Sequence, residues 1–155
     1  MSDIPQARLA QFLAIGVPAA LLGGAYISEY VFGLYPCEMC WWQRWPHFAA
    51  LGLAGISVVA PPRRVWIALA GIAVLVSGVI GAHHAGVEYQ WWQGFTGCAT
   101  TPTGLDVMDP TAVPLIRCDV APWTLFGVSL AGWNFLFSSA GGITILTLLA
   151  RKETA

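Results

Sequence analysis

Four stretches of the chain are apolar almost without interruption, at about residues 9–31, 41–60, 65–84 and 124–150. A helix needs roughly 20 mostly apolar residues to cross about 30 Å of hydrocarbon, so each stretch predicts one transmembrane helix. Pro61-Pro62-Arg63-Arg64 separates the second from the third and leaves room only for a tight turn. Proline donates no backbone hydrogen bond and sits well at a helix end, so these two helices are expected as an antiparallel hairpin. Between the third and fourth stretches lie about forty polar residues holding Gly97, Pro102, Gly104, Pro110, Pro114 and Pro122. That density of breakers excludes a fifth span. The pattern predicts an all-α membrane protein: a single integral domain, 1–155, built as a four-transmembrane-helix bundle with a long loop, about 85–123, between helices 3 and 4. The first stretch reads as a retained signal anchor.

Composition agrees with the pattern. The 155 residues are 57% hydrophobic and only 10% charged, with a mean hydropathy of +0.66, whereas a soluble domain carries about 25% charged residues. A net charge of -1 gives no support to a nucleic-acid partner. Arg8, Arg63, Arg64, Arg151 and Lys152 fall on one side of the four-span arrangement, and only Arg44 and Arg117 fall on the other. The positive-inside rule makes the first side cytoplasmic. Both termini are then cytoplasmic, and all four cysteines, Cys37, Cys40, Cys98 and Cys118, lie outside, in a compartment where disulfides persist. Tyr30, Tyr35, Trp41, Trp42, Tyr89, Trp91, Trp92 and Trp123 gather at the outer ends of the spans as an interfacial aromatic belt.

The candidate chemistry begins at Cys37-Glu38-Met39-Cys40. Pro36 suits the start of a helix, which puts both thiols where unpaired backbone N–H groups favour negative charge. Arg44 follows Cys40 by four residues, on the same helical face. A nearby cation lowers a thiol's pKa from its free value of about 8.5, so Cys40 is the better candidate for a stabilised thiolate. Glu38 opposes this electrostatically. Four cysteines also suffice for a zinc site, but C-x2-C followed by C-x19-C is not a paired-knuckle spacing, and no metal is expected. Two purely structural disulfides are the other reading, although a CxxC ring closes too short a loop to brace much. His83 and His84 end the third span, and one of them is expected to face the bundle. Glu88 and Tyr89 read as solvated interface residues.

The run Tyr35-Pro36-Cys37-Glu38-Met39-Cys40-Trp41-Trp42-Gln43-Arg44 resembles the PCxxCxxxR signature of the disulfide bond formation protein B (DsbB) family. His84-Ala85-Gly86-Val87-Glu88 matches a second segment of that family, and Cys118 through Phe126-Gly127 to Trp133-Asn134 a third. The resemblance implies an enzyme of the bacterial inner membrane that reoxidises a periplasmic, DsbA-like thioredoxin-fold dithiol oxidase and passes two electrons to quinone, either ubiquinone or menaquinone. Such a pathway keeps the bacterial periplasm oxidising. It further implies that Cys98 and Cys118 form the loop disulfide, and that the partner's thiolate attacks Cys98 to give a mixed disulfide. Cys118 then attacks the Cys37–Cys40 disulfide at Cys37. Cys40 is freed to react with quinone, helped by Arg44 and by a hydrogen bond from His84. Catalytic roles thus fall on Cys37, Cys40, Cys98 and Cys118, and quinone contacts on Cys40, Arg44 and His84. The chain departs from the best-known pattern in the short stretch between Cys98 and Cys118 and in the acidic Glu38 inside the CxxC. A vitamin K epoxide reductase-like protein also couples cysteines to quinone, but there the CxxC follows the loop cysteines, the reverse of the order here.

Overall fold

The computed structural model describes residues 3–95 and 117–151. Four helices form the body: α1 (Asp3–Tyr30), α2 (Glu38–Val59), α3 (Arg63–Glu88) and α4 (Leu130–Ala150). A two-stranded hairpin, β1 (Thr124–Leu125) with β2 (Val128–Ser129), precedes α4. Helix α3 packs chiefly against α2 and α4, and α1 lies against α4 and α2. Three helical segments are long and apolar enough to cross a membrane among the described residues: Gln6–Tyr30, Arg63–Glu88 and Leu130–Ala150. Helix α2 is 22 residues long, but its first half carries Gln43, Arg44 and His47, and these polar residues point into the protein.

The distribution of side chains is inverted relative to a soluble bundle. Phe12, Val58, Val79 and Ile143 are each more than half exposed, while Gln43, Arg44, His47, Ser77, His84 and Ser138 are buried. Large apolar groups facing outward and polar groups facing inward suit a hydrocarbon solvent, which gives helices no hydrophobic reason to associate. Association then depends on close packing. One core cluster is made largely of small residues, Ala10, Ala14, Ala50, Ala54 and Ala70, around Ile67, Val74 and Ile145. Between α3 and α4 the approach is closer still. A Cβ at Gly142 would lie 2.5 Å from Leu75 Cγ and 3.0 Å from the Gly71 carbonyl oxygen. A Cβ at Gly81 would meet the backbone of α4 and the Asn134 amide at 3.0 Å. Gly81 therefore lets Asn134 reach the interior.

The helix ends follow local chemistry. Cys37 is the N-cap of α2, its sulfur accepting from the Cys40 N–H, and Ser129 caps α4 by accepting from the Gly132 N–H. The Pro61-Pro62 turn, with a cis bond between the two prolines, joins α2 to α3. Arg64 donates to the Leu149 carbonyl at the end of α4, where a cation complements the helix dipole.

The fourth apolar stretch begins at residue 124, whereas the helix begins at Leu130. Phe126 and Gly127 take positive φ values of 52° and 77°, the backbone of a two-residue hairpin turn matched to strand twist. The Tyr89 hydroxyl fixes that hairpin on the end of α3, donating to the Gly127 carbonyl at 2.8 Å and accepting from the Ser129 N–H at 3.1 Å.

Gly142→Ala is expected to destabilise the bundle by about 1–3 kcal/mol, as overpacking of a tight interface does. Thermal unfolding in detergent checks this; an unchanged midpoint would contradict the close α3–α4 packing.

Candidate functional site

The two cysteines of the CxxC stand at the start of α2, ahead of the apolar stretch that opens with Trp41. Their sulfurs are 2.9 Å apart, and the Cys40 N–H donates to Cys37 Sγ at 3.3 Å. The pair shares one negative charge more easily than two. The hydrogen bond to Cys40 and then burial push the Cys37 thiol up. The same hydrogen bond from Cys37 holds Cys40 below the ordinary thiol value, with some help from Arg44 and against burial and the Glu88 carboxylate. Cys118 is buried beside Cys37 in a cluster with Met39 and Val87. The segment carrying it is held by Gln90, whose side-chain amide donates to the Asp119 carbonyl at 2.9 Å, and carries its own exposed ion pair, Arg117–Asp119, at 2.6 Å. Cys98 lies outside the described residues.

His84 is the histidine that faces the bundle. Its Nε2 is 3.6 Å from Cys37 Sγ and 3.8 Å from Glu88 Oε1, and its Nδ1 is 2.7 Å from Gln43 Nε2. Gln43 Nε2 also faces the Met39 carbonyl at 3.2 Å, which only accepts, so this atom is the donating nitrogen. His84 Nδ1 therefore accepts, and the neutral ring carries its hydrogen on Nε2. Cys37, Cys40 and His84 bring three potential metal-ligand atoms within 4.8 Å of one another. The Gln43 bond turns a hydrogen, not a lone pair, toward the sulfurs, which argues against that use. His83 instead stacks between Trp92 and Phe95, at ring distances of 5.7 and 4.6 Å.

From Gln43 a buried polar chain continues inward. Asn134 of α4 donates to Gln43 Oε1 at 2.8 Å and to the Ser77 carbonyl at 3.2 Å, and accepts from Ser138 at 2.9 Å and from His47 Nε2 at 3.0 Å. Ser77 donates to the Gln43 carbonyl at 2.8 Å. Each bond satisfies a group whose burial would otherwise cost free energy, and together they tie α2, α3 and α4 at the depth of the thiols. The motif matches quoted Gln43 and Asn134 without giving them a role. Only their mutual placement reveals it.

Arg44 is placed differently from the simple expectation. Its guanidinium donates to Glu29 Oε2 at 2.6 Å and lies between the rings of Tyr26 and Trp41, 5.0 and 4.9 Å from their centroids. Both partners of the ion pair are nearly buried. Glu29 is thus the counter-ion of Arg44, and Trp41 covers the arginine. Glu88 is a correction too: its side chain is 2% exposed, not solvated, because α3 runs on to Glu88 and the segment 117–129 folds over its end. Tyr89 remains partly exposed, at 37%.

A cavity of about 260 Å³ lies among these groups. Leu21, Leu22, Leu34 and Phe137 give it apolar walls, while Cys40, Arg44, His47, His84, Glu88 and Asn134 supply a polar side. A second cavity, about 310 Å³, is lined by Cys37, Cys40, His84, Glu88 and Arg117. Cys40, His84 and Glu88 line both.

Residues 7–148 match the family model described as "Disulfide bond formation protein DsbB". Proteins named "Disulfide bond formation protein B" are similar over nearly the whole chain. That of Polaromonas naphthalenivorans (strain CJ2) is 32% identical, covering 96% of this chain and 93% of its own. That of Polaromonas sp. (strain JS666 / ATCC BAA-500) is also 32% identical, covering 97% and 96%. "Disulfide bond formation protein B 2" of Pseudomonas fluorescens (strain Pf0-1) is 28% identical, covering 91% and 83%. No solved structure matches the chain.

In the reduced protein, Cys40 is expected to stay ionised, and so to be alkylated, as the pH falls below the ordinary thiol value, while Cys37 stays protonated above it. Site-resolved alkylation by mass spectrometry against pH checks the order. Equal titration of the two at the ordinary value would contradict the shared-proton geometry.

Proposed function

The chain belongs to the disulfide bond formation protein B family, and from that premise we propose that it is an inner-membrane thiol:quinone oxidoreductase, which reoxidises a periplasmic DsbA-like thioredoxin-fold dithiol oxidase. The observation that carries this reading is the joint: Cys40 belongs at once to a dithiol pair and to the wall of a cavity that is apolar on one side and polar on the other. In this reading α2 is a fourth span, both termini are cytoplasmic and the four cysteines are periplasmic.

Exchange begins at Cys98. The partner's thiolate attacks Cys98 Sγ, the Cys98–Cys118 bond breaks, and Cys118 leaves as a thiolate. Cys118 then attacks Cys37 Sγ, and Cys40 leaves as a thiolate. The burial of Cys118 beside Cys37 supports this order over attack at Cys40. Helix-start N–H groups favour charge on the leaving sulfur. The partner's second thiolate then attacks its own sulfur in the mixed disulfide and releases Cys98. Cys98 attacks Cys118 in the Cys37–Cys118 bond and releases Cys37, so the Cys98–Cys118 bond is restored and the two electrons of the partner's dithiol end on the Cys37–Cys40 pair.

The cavity fits a quinone head group, since it offers apolar walls to a ring and hydrogen-bond donors to its oxygens. Arg44 and His84 would hold the oxygens and Cys40 would face the ring. Quinone, when bound, supplies an acceptor for two electrons and two protons. The chain's part is to present Cys40 as a thiolate, to orient the His84 Nε2–H through Gln43, and to exclude water with Leu34 and Phe137. Arg44 works as a charge already balanced by Glu29. Balance by Glu29 makes it tolerable in a membrane interior and moderates its pull on Cys40. A strongly oxidising partner, near about −120 mV for DsbA, needs an external oxidant because about 30 mV uphill costs about 1.4 kcal/mol for two electrons.

Cys40→Ser is expected to abolish quinone reduction, and Cys98→Ser to abolish acceptance of electrons from the partner. Arg44→Ala is expected to raise the quinone KM about tenfold, the effect of about 1.4 kcal/mol, and to leave dithiol exchange intact. Steady-state assays varying each substrate separately check these outcomes. Full turnover in either cysteine variant would overturn the assignment of roles, and an unchanged KM would make Arg44 an interfacial anchor.

A further inference from the structure

Resting on the thiol:quinone reading, we propose that Glu88 carries protons between the thiol pair and the quinone cavity. Re-forming the Cys37–Cys40 bond from the Cys37 thiol and the Cys40 thiolate releases one proton, that of Cys37. The two electrons pass to quinone, and its two oxygens must gain two protons. A route for those protons has to touch both the thiols and the cavity, and four ionisable groups line both cavities: Tyr35, Cys40, His84 and Glu88.

Tyr35 is 62% exposed, out at the surface, and two of the other three are committed elsewhere. Cys40 is itself a redox group. His84 has its Nδ1 lone pair engaged by Gln43 and its hydrogen on Nε2, so it donates a fixed hydrogen bond and has no open position for a second proton. Glu88 has one. Its side chain is 2% exposed, its Oε1 is 3.8 Å from His84 Nε2, and its Oε2 is buried without any hydrogen-bond partner. A buried carboxyl oxygen left unpaired costs free energy, and it is the natural place for a proton that comes and goes.

The groups around Glu88 are consistent with this. From its own helix it faces His84. From the start of α2 come Cys40 and Cys37, with Arg44 one turn further along the same cavity wall. From the segment over its end come Arg117, paired with Asp119, and Cys118, and from β2 comes the side chain of Ser129, close to the carboxyl. Arg44 is already balanced by Glu29 and Arg117 by Asp119, so neither cation holds Glu88 permanently ionised. Glu88 as carboxylate takes the proton of one thiol, becomes the neutral acid, and returns the proton to a quinone oxygen. Cys40, as a thiolate, brings no proton, so Glu88 takes the second from water and passes it along the same path, and two protons arrive on the acceptor.

Glu88→Gln keeps the size of the side chain and removes the exchangeable proton. In full-length protein in detergent, single-turnover reoxidation of the reduced thiol pair by decylubiquinone is expected to slow by about 100-fold in E88Q, and by no more than about tenfold in E88D, the range of general acid–base catalysis. Decylubiquinone affinity, read by quenching of tryptophan fluorescence, and reduction of the protein by a dithiol are expected to stay within about twofold. Without quinone, the midpoint of Cys40 alkylation is expected to fall in E88Q, because a neighbouring negative charge has been removed. Reoxidation of E88Q at the wild-type rate would overturn the inference, and so would equal losses in E88Q and E88D accompanied by lost quinone binding, the mark of a structural role. A wild-type protein that is not reoxidised overturns the thiol:quinone reading itself and this inference with it. A wild type reoxidised no faster than E88Q overturns the inference alone.

Discussion

The rest of the site hangs on the side chain of Gln43. In an apolar interior a polar group without a partner is costly, and Gln43 resolves that constraint in three directions at once: to the Met39 carbonyl, to His84 Nδ1 and to Asn134. The first contact fixes the orientation of the amide. The second fixes the tautomer of His84 and so aims an N–H at the Cys37 sulfur and the Glu88 carboxyl. The third anchors α4 through Asn134, which Gly81 admits by having no Cβ in its way. Three helices are thereby held at the depth where the thiols sit, by bonds that also set the electrostatics of the thiols.

Much of this architecture could be read from the chain. Apolar runs located the helical segments, because length and hydropathy suffice to mark a span, and the Pro61-Pro62 break marked the turn between α2 and α3. The position of Cys37 and Cys40 at a helix start followed from Pro36, and the ordered motifs led to the family. Other features stayed out of reach because they depend on partners far apart in sequence. Arg44 and Glu29 are 15 residues apart, and no local rule pairs them across two helices. Glu88 looked solvated because it ends a span, yet the segment from Arg117 to Ser129 covers it. The hairpin before α4 was hidden inside an apolar run: Leu125, Phe126 and Val128 are apolar enough to continue a helix, and Phe126 at positive φ is not the residue that usually announces a turn.

The proposed reaction uses the division between the two cavities. Thiol exchange needs mobile sulfurs and access for a protein partner, whereas reduction of a quinone needs a dry site where a thiolate, a fixed N–H and a balanced cation keep their places. Cys40, His84 and Glu88 belong to both cavities, so electrons and protons can cross the boundary without the two sites merging. The Arg44–Glu29 pair, flanked by Tyr26 and Trp41, lets a cation remain near Cys40 without fixing a thiolate there permanently. A sulfur that must alternate between thiolate and disulfide gains from that moderation.

The most direct test of the account is anaerobic quinone reduction by the purified protein supplied with a reduced DsbA-like dithiol. The account predicts catalytic turnover in which one quinone is reduced for each disulfide formed in the donor. Absence of turnover with several thioredoxin-fold donors, and with both ubiquinone and menaquinone analogues as acceptors, would contradict it.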